Sequence, residues 1–309
     1  MRIGIVVDSS CDLPRSFIDR FGVEVLPLTL RLGDEVFEDG RDPRATRGFY
    51  ERFVSNRSIE AESIPFAAPE IRRYILDELV LKYDRLMILT SSSRLSPLFD
   101  NATKASFAIV KDLRQRRREA GIEGGFAARV IDTRSAFTGE ATIAREAVRL
   151  LLENSVPFEK VRPQLARLCP HVRTYVVSRD LYYPYRRGRK HGMRTVGPLG
   201  YRLGRYFDVK PVMEFHDGNM HRRATAVGYE AALERVFDIG REAILKGLRT
   251  PLVAMSYAGD PADITPLQAY RVFSNYAESH EVELMLAVMS ASAGVELGPG
   301  AFSLAFVGS

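Results

Sequence analysis

The opening residues constrain this chain more than any other feature. Arg2-Ile-Gly-Ile-Val-Val-Asp8 is an almost unbroken apolar run that stops at a carboxylate and two serines. A continuous apolar run, as opposed to an alternating one, suits a strand covered on both faces, the normal state of a strand in a parallel sheet. Parallel strands need helical crossovers, and the sequence supplies them. Leu13-Pro14 opens a helix to about Phe21, with proline early, where its missing N–H is tolerated. Residues 23–30 read as a second strand and 31–39 as a small hairpin about Gly33-Asp34. Helices over 46–54 and 69–81 and a strand over 85–90 follow. Ser96-Pro97 begins a long helix whose stripe Leu98, Ala102, Ala105, Ile109 and Leu113 has the spacing of one buried face. A strand over 128–131 and a helix over 139–153 complete the alternation. Ligands of such sheets lie beyond the carboxyl ends of the strands. The segments to watch are therefore 8–12, 62–67, 91–96 and 132–140.

The pattern changes after Asn154-Ser-Val-Pro157. Strands over 173–177, 210–215 and 220–226 come first, the last two joined through Asp217-Gly218, a strong hairpin signal. Helices over 229–245 and 265–277 then interleave with strands over 252–257, 282–288 and 302–306. The expected fold is α/β in two domains. Residues 1–158 form an N-terminal parallel-sheet α/β domain that carries the ligand, and 159–309 a C-terminal α+β domain.

At 309 residues, 46% hydrophobic and 27% charged, the chain can bury two ordinary cores. It has no run of about 20 apolar residues, so no stable membrane insertion is expected. The first residues read as a strand and not as a leader, and Cys11 and Cys169 are the only cysteines, which fits a reducing compartment. The expected location is the cytoplasm. The net charge of +5 is concentrated locally. RQRRR over 114–118 ends a helix, where cations complement the dipole. RRGRKHGMR over 186–194 follows Tyr182, Tyr183 and Tyr185, a mixture that suits docking of a partner protein first, a solvated face second and nucleic acid third.

Hydroxyls gather at the strand tips: Ser9 and Ser10, Ser63, residues 90–93, and Ser96 at a helix start. Unpaired N–H groups there, with serines around them, suit a carboxylate or another electron-rich headgroup. A serine-rich loop with one capping serine explains the same residues. Catalytic patterns are weaker. None of the five histidines lies in a strand-tip loop of the first domain, and Gly-x-Ser-x-Gly is absent. Asp8 sits where an aspartyl-phosphate would form, but no acid stands two positions on. No paired His/Cys spacing implies a metal, and Gly298-Pro-Gly300 lacks the lysine of a phosphate loop, so no cofactor is expected.

In order along the chain, these segments resemble the DegV family, which includes the fatty-acid-binding subunits of bacterial fatty acid kinase. Val7-Asp8-Ser9-Ser10-Cys11-Asp12-Leu13-Pro14 resembles its TDS-x-x-DLP start. Glu62-Ser63-Ile64-Pro65 stands at its Thr-Ser-Gln-Pro, and Ser92-Ser93-Arg94-Leu95-Ser96 at its Ser-Ser-x-Leu-Ser. Residues 130–136 with Gly139-Glu140 are similar to its VIDS segment. Asp180-Leu181 with Arg187-Gly188-Arg189, Lys210-Pro211-Val212 with Asp217-Gly218, and Gly298-Pro-Gly-Ala301 extend the likeness to the end of the chain.

The resemblance implies a non-catalytic subunit that buries a long-chain fatty acid or related lipid in the first domain and presents its headgroup to a kinase. It places Ser63, Ser92, Ser93 and Ser96 at the headgroup and gives Arg186, Arg187 and Arg189 the kinase-docking role. Three headgroup positions depart from the family: Glu62 replaces a threonine, Glu296 a histidine, and Val227 aligns with an arginine. Two acids beside a carboxylate would repel it. Either the headgroup is a hydrogen-bond donor such as an amine or hydroxyl, or Glu62 points to solvent. The other readings are a divergent member acting through protein interaction and an Asp8-dependent phosphotransferase.

Overall fold

Pro27 decides how the first third of the chain is laid out. In a computed structural model describing residues 1–55, 60–190 and 206–309, β1 (Ile3–Asp8) leads into α1 (Arg15–Phe21) and then β2 (Glu24–Leu26). Residues 23–30 are not one strand. Pro27 has no N–H to give a ladder, and the chain leaves the parallel sheet there. It continues as β3 (Leu28–Leu32), the Gly33-Asp34 turn and β4 (Glu35–Asp39). After α2 (Pro43–Ser55) comes β5 (Ala61–Ile64), so the expected loop 62–67 is half strand. These three strands make an antiparallel sheet ordered β4-β3-β5.

The main N-terminal sheet is completed after α3 (Ala68–Tyr74) by β6 (Arg85–Thr90), α4 (Leu98–Ala108), α5 (Val110–Glu119) and β7 (Ala127–Asp132). Its order is β2-β1-β6-β7, parallel throughout. The helix expected from Ser96 breaks at Ile109. Its stripe nevertheless faces inward: Leu98, Ala102, Ala105, Ile109 and Leu113 are buried against Ile88 and Val130. On the other face lies α6 (Thr138–Val148).

The second half begins with α7 (Phe158–Leu168), β8 (Val172–Val177) and α8 (Tyr182–Lys190), then β9 (Val209–His216) and β10 (Asn219–Val227). The turn between the last two has φ of 46° at Asp217 and 76° at Gly218, the left-handed pair that Asp-Gly favours. Then follow α9 (Tyr229–Lys246), β11 (Leu248–Tyr257), α10 (Gln268–Ser279), β12 (Glu283–Val288), α11 (Ala291–Leu297) and β13 (Phe302–Gly308). The six strands form a mixed sheet ordered β10-β9-β8-β13-β11-β12. Helix α11 was not expected from the sequence, and the Gly298-Pro-Gly300 turn joins it to β13.

One apolar core crosses both halves. Ala141, Ile143, Ala144, Ala147 and Val148 of α6 pack with Ile5, Val7, Met87 and Leu89 of the parallel sheet and with Leu252, Ala254 and Val307 of the mixed sheet. Each fully buried branched side chain contributes about 1.5–3 kcal/mol, so the two sheets are held as one body. Polar bonds lock the joint: Ser135 Oγ lies 2.9 Å from Thr174 Oγ1, and Thr138 Oγ1 lies 2.6 Å from Ser303 Oγ. Among the described residues no helix is long and apolar enough to cross a membrane.

Candidate functional site

The carboxyl ends of β1 and β6 deliver two serine-bearing loops to one place. Asp8 ends β1 fully buried and organises both loops. It accepts the Ser10 N–H at 2.9 Å, the Ser10 hydroxyl at 2.5 Å and the Ser91 N–H at 2.7 Å. Burial pushes its carboxyl above the ordinary carboxylate value, against the pull of the Ser10 and Ser91 hydrogen bonds. The Ser10 hydroxyl, spent as a donor to Asp8, retains only acceptor capacity.

Ser10 and Ser91 stand in the wall of a cavity of about 450 Å³ at the junction of the two halves. The N-terminal half adds Leu28 of β3, residues 62–65 from the end of β5, and residues 95–98 leading into α4. The C-terminal half adds Pro184 of α8, Phe215 and Met220 from either side of the Asp217-Gly218 turn, and Ser292, Glu296 and Leu297 of α11. The wall is therefore divided: leucines, isoleucine, prolines and aromatic rings line most of it, and serines with two glutamates line the rest. Such a mixture orients an amphiphile.

Two strained contacts shape this wall. Phe137, which also lines the cavity, has φ 57° and ψ −123° at the start of α6, a conformation that side-chain-bearing residues rarely adopt. Its carbonyl takes the Asp12 N–H at 3.3 Å. Arg41 has φ 62° and is buried. From the loop after β4 it donates to Leu13 O at 3.0 Å and Val288 O at 2.9 Å, and its guanidinium lies 3.4 Å from Asp12. Asp12 in turn accepts the Ser256 hydroxyl at 2.6 Å and the Ser290 N–H at 2.8 Å, while Asp39 takes the Ser292 N–H at 3.1 Å. This buried network ties the start of α11 to the N-terminal half. Tyr50 adds a shared bond, its one hydroxyl proton lying between Met289 O at 3.1 Å and Ser290 O at 2.9 Å.

Of the residues expected at the headgroup, Ser63, Ser96, Glu62 and Glu296 line the cavity. Ser92 and Ser93 do not. Ser93 is turned away by Asp132, which accepts its hydroxyl at 2.6 Å and its N–H at 3.3 Å. Ser92 is buried, its N–H bonded to Ser135 O at 2.7 Å and its hydroxyl accepting the Arg94 N–H at 3.3 Å. Glu62 reaches the wall with its charge matched: β3 and β5 set it opposite Arg31, and the pair closes to 2.6 Å. Val227 is exposed and is not among the lining residues. Arg186 is exposed on α8, its guanidinium over the Tyr182 ring at 5.7 Å. The side chains of Arg187 and Arg189, and residues 191–194 of the same basic run, lie outside the described residues.

Sequence reasoning did not select Phe137, Phe215, Met220 or Ser292. The apolar residues flanking Asp217-Gly218 were a usable signal once that hairpin was placed at the junction. Ser292 had none, because its helix was not foreseen.

Comparison with known proteins covers the full chain. The family described as "Uncharacterised protein, DegV family" matches residues 2–309. A DegV domain-containing protein of Xanthomonas axonopodis pv. citri is 41% identical over 306 residues, which is 99% of this chain and 97% of that protein. Two solved structures share the fold. A fatty acid (stearic acid)-binding protein from Eubacterium ventriosum has a TM-score of 0.79 at 18% identity, covering 98% of this chain and 97% of that one. The fatty acid kinase B3 protein of Streptococcus pneumoniae, loaded with linoleic acid, has a TM-score of 0.74 at 15% identity, with 100% of both chains covered.

Proposed function

The chain belongs to the DegV family, and from that membership and the build of the cavity we propose that it binds a long-chain fatty acid or a closely related single-chain lipid and presents the headgroup to a separate kinase. The observation that carries the reading is the divided wall. Leu28, Ile64, Leu95, Leu98 and Leu297 offer an alkyl chain a dry surface, while Ser63, Ser96 and Ser10 collect at the junction. The roughly fourteen methylenes of palmitate, at about 0.8 kcal/mol each when buried, contribute about 11 kcal/mol. Association costs of about 4–15 kcal/mol offset much of this, so headgroup bonds decide how tight binding becomes.

The Arg31–Glu62 pair lessens one obstacle that the sequence raised against a carboxylate, because that acid is ion-paired with a half-exposed arginine beside the cavity. Phosphotransfer through Asp8 is disfavoured by geometry: the residue is fully buried and both of its carboxyl oxygens are engaged. For the kinase, α8 is the natural contact. It carries Pro184 of the cavity wall and the exposed Arg186 within one turn of each other, and Arg187 and Arg189 follow on the same helix.

Displacement of a fluorescent fatty acid by palmitate tests the binding, with saturation expected at one palmitate per chain. Charge reversal of Arg186 and Arg189 should leave that titration unchanged while slowing acyl phosphate formation by a fatty acid kinase. A chain that takes up no fatty acid overturns the proposal. If the doubly reversed chain supports the kinase as well as the wild type does, the docking role falls alone.

A further inference from the structure

Two loops of the N-terminal half and one hairpin of the C-terminal half meet along a seam at the edge of the cavity. Leu95 and Ser96 follow Arg94 in the loop after β6, and Ala136 and Phe137 follow Arg134 in the loop after β7; all four line the cavity. Facing them are Phe215 and Met220, which pair across the hairpin on either side of the Asp217-Gly218 turn. The bonds across the seam come from the two arginines. Arg94 donates to Asn219 Oδ1 at 2.6 Å and lies so close over Gly218 that a Cβ there would stand 2.6 Å from its Cδ. Arg134 donates to Asp217 Oδ1 at 3.0 Å, and its carbonyl takes the Gly218 N–H at 3.0 Å.

One core holds the two halves together, so a lipid needs a local opening to enter. The other described parts of the wall are fixed more deeply. Helix α11 is gripped by the buried Asp12 and Asp39, β5 is laddered to β3, and α8 is anchored by Tyr183, which is buried against Gly298. Strand β9 is paired with β8 as far as His216. Strand β10 differs. Among the described residues it pairs with β9 alone, at the edge of its sheet, and most of it is exposed. Its register shifts between Arg222 and Ala224, the kind of bulge at which a strand bends. The latch is open to water, with Arg134 50% and Asp217 43% exposed, and an ion pair so placed is weak.

Resting on the lipid-binding reading above, we propose that the hairpin tip from Asp217 to Arg222 is the gate of the cavity, latched shut by Arg94 and Arg134 from the two facing loops. The tip swings at the bulge and carries Met220 off the wall, while β9 stays in place with Phe215. Only the weakly held edge strand moves. The latch re-forms around the lipid once it is inside. It therefore slows uptake and release alike and leaves the affinity unchanged.

Rapid mixing with a fluorescent fatty acid tests the gate, timing uptake directly and release by displacement with excess palmitate. In the Arg94→Ala/Arg134→Ala chain both rates should rise roughly three- to thirtyfold while Kd stays within about twofold, the range expected from the loss of two exposed polar contacts. Asp217→Asn removes the ion pair with little change of shape and should raise both rates about two- to fivefold. High salt should speed release from the wild type more than from either variant, because neither variant has an ion pair left to screen. Unchanged rates in both variants overturn the gate and leave lipid binding standing. Faster release matched by an equal loss of affinity also overturns it, since the arginines would then belong to the binding site. Failure of the wild type to bind the fatty acid overturns the gate and the lipid reading together.

Discussion

Replacing Arg41 with asparagine probes the joint on which the cavity depends. Arg41 is 7% exposed and Asp12 is fully buried, so the substitution leaves a carboxylate inside the protein with only the Ser256 and Ser290 donors. Breaking a buried pair by removing one partner costs about 3–5 kcal/mol. Against this stands relief of strain. Arg41 holds φ 62°, which costs most residues about 1–2 kcal/mol and asparagine less. The net loss should be about 2–4 kcal/mol, or roughly 3–6 °C in melting temperature for a chain of this size. Its pH dependence identifies the cause. Burial already holds Asp12 above the ordinary carboxylate value despite Arg41 and the Ser256 and Ser290 bonds. A carboxyl raised in the folded state contributes less to stability as pH climbs past its unfolded value of about 4. Loss of the guanidinium raises it further, so the deficit of R41N should widen from pH 4 to pH 7 and shrink at lower pH. Denaturant unfolding across that range measures it, and adding Asp12→Asn should recover part of the loss. A single variant within about 0.5 kcal/mol of wild type at pH 7 would refute the reasoning.

Two further substitutions probe the same region. Glu140 is fully buried, and burial followed by the charge of Asp8 pushes its carboxyl well above the ordinary value. Its cost therefore grows as pH rises, and Glu140→Gln should stabilise the fold by about 1–3 kcal/mol, more at pH 8 than at pH 5; a variant less stable than wild type at pH 8 contradicts this. Gly139 has no room for a side chain, since a Cβ would collide with the hydroxyls of Ser135 and Thr174 that bond across the joint. Gly139→Ala should cost about 1–3 kcal/mol by overpacking, read as a lower denaturant midpoint at unchanged slope; an unchanged midpoint shows that the joint gives way freely.

The parallel sheet was legible because buried strands and amphipathic helices leave local patterns. The run ending at Asp8 and the stripe from Leu98 to Leu113 were read correctly for that reason. The strand-tip argument also brought Ser63, Ser96 and residue 10 to one cavity. Other features depend on partners far away in sequence. Arg41 meets Val288 across 247 positions, and no local pattern reports such a contact. Ser92 and Ser93 look equivalent to Ser96 in sequence, yet Asp132 and Ser135 on a neighbouring loop turn them from the cavity. Glu62 looked like an uncompensated acid because its cation, Arg31, is supplied by strand register and not by proximity in the chain. Helix α11 escaped notice because Ala291-Ser-Ala-Gly294 is short, small and without periodicity. Ser292 was lost with it.

Native mass spectrometry of the purified chain tests the central claim most directly. One added mass per chain is expected, in the range of a single long-chain fatty acid or related lipid, lost on denaturation and restored by incubation with palmitate. A protein that carries no such mass and gains none from palmitate would contradict it.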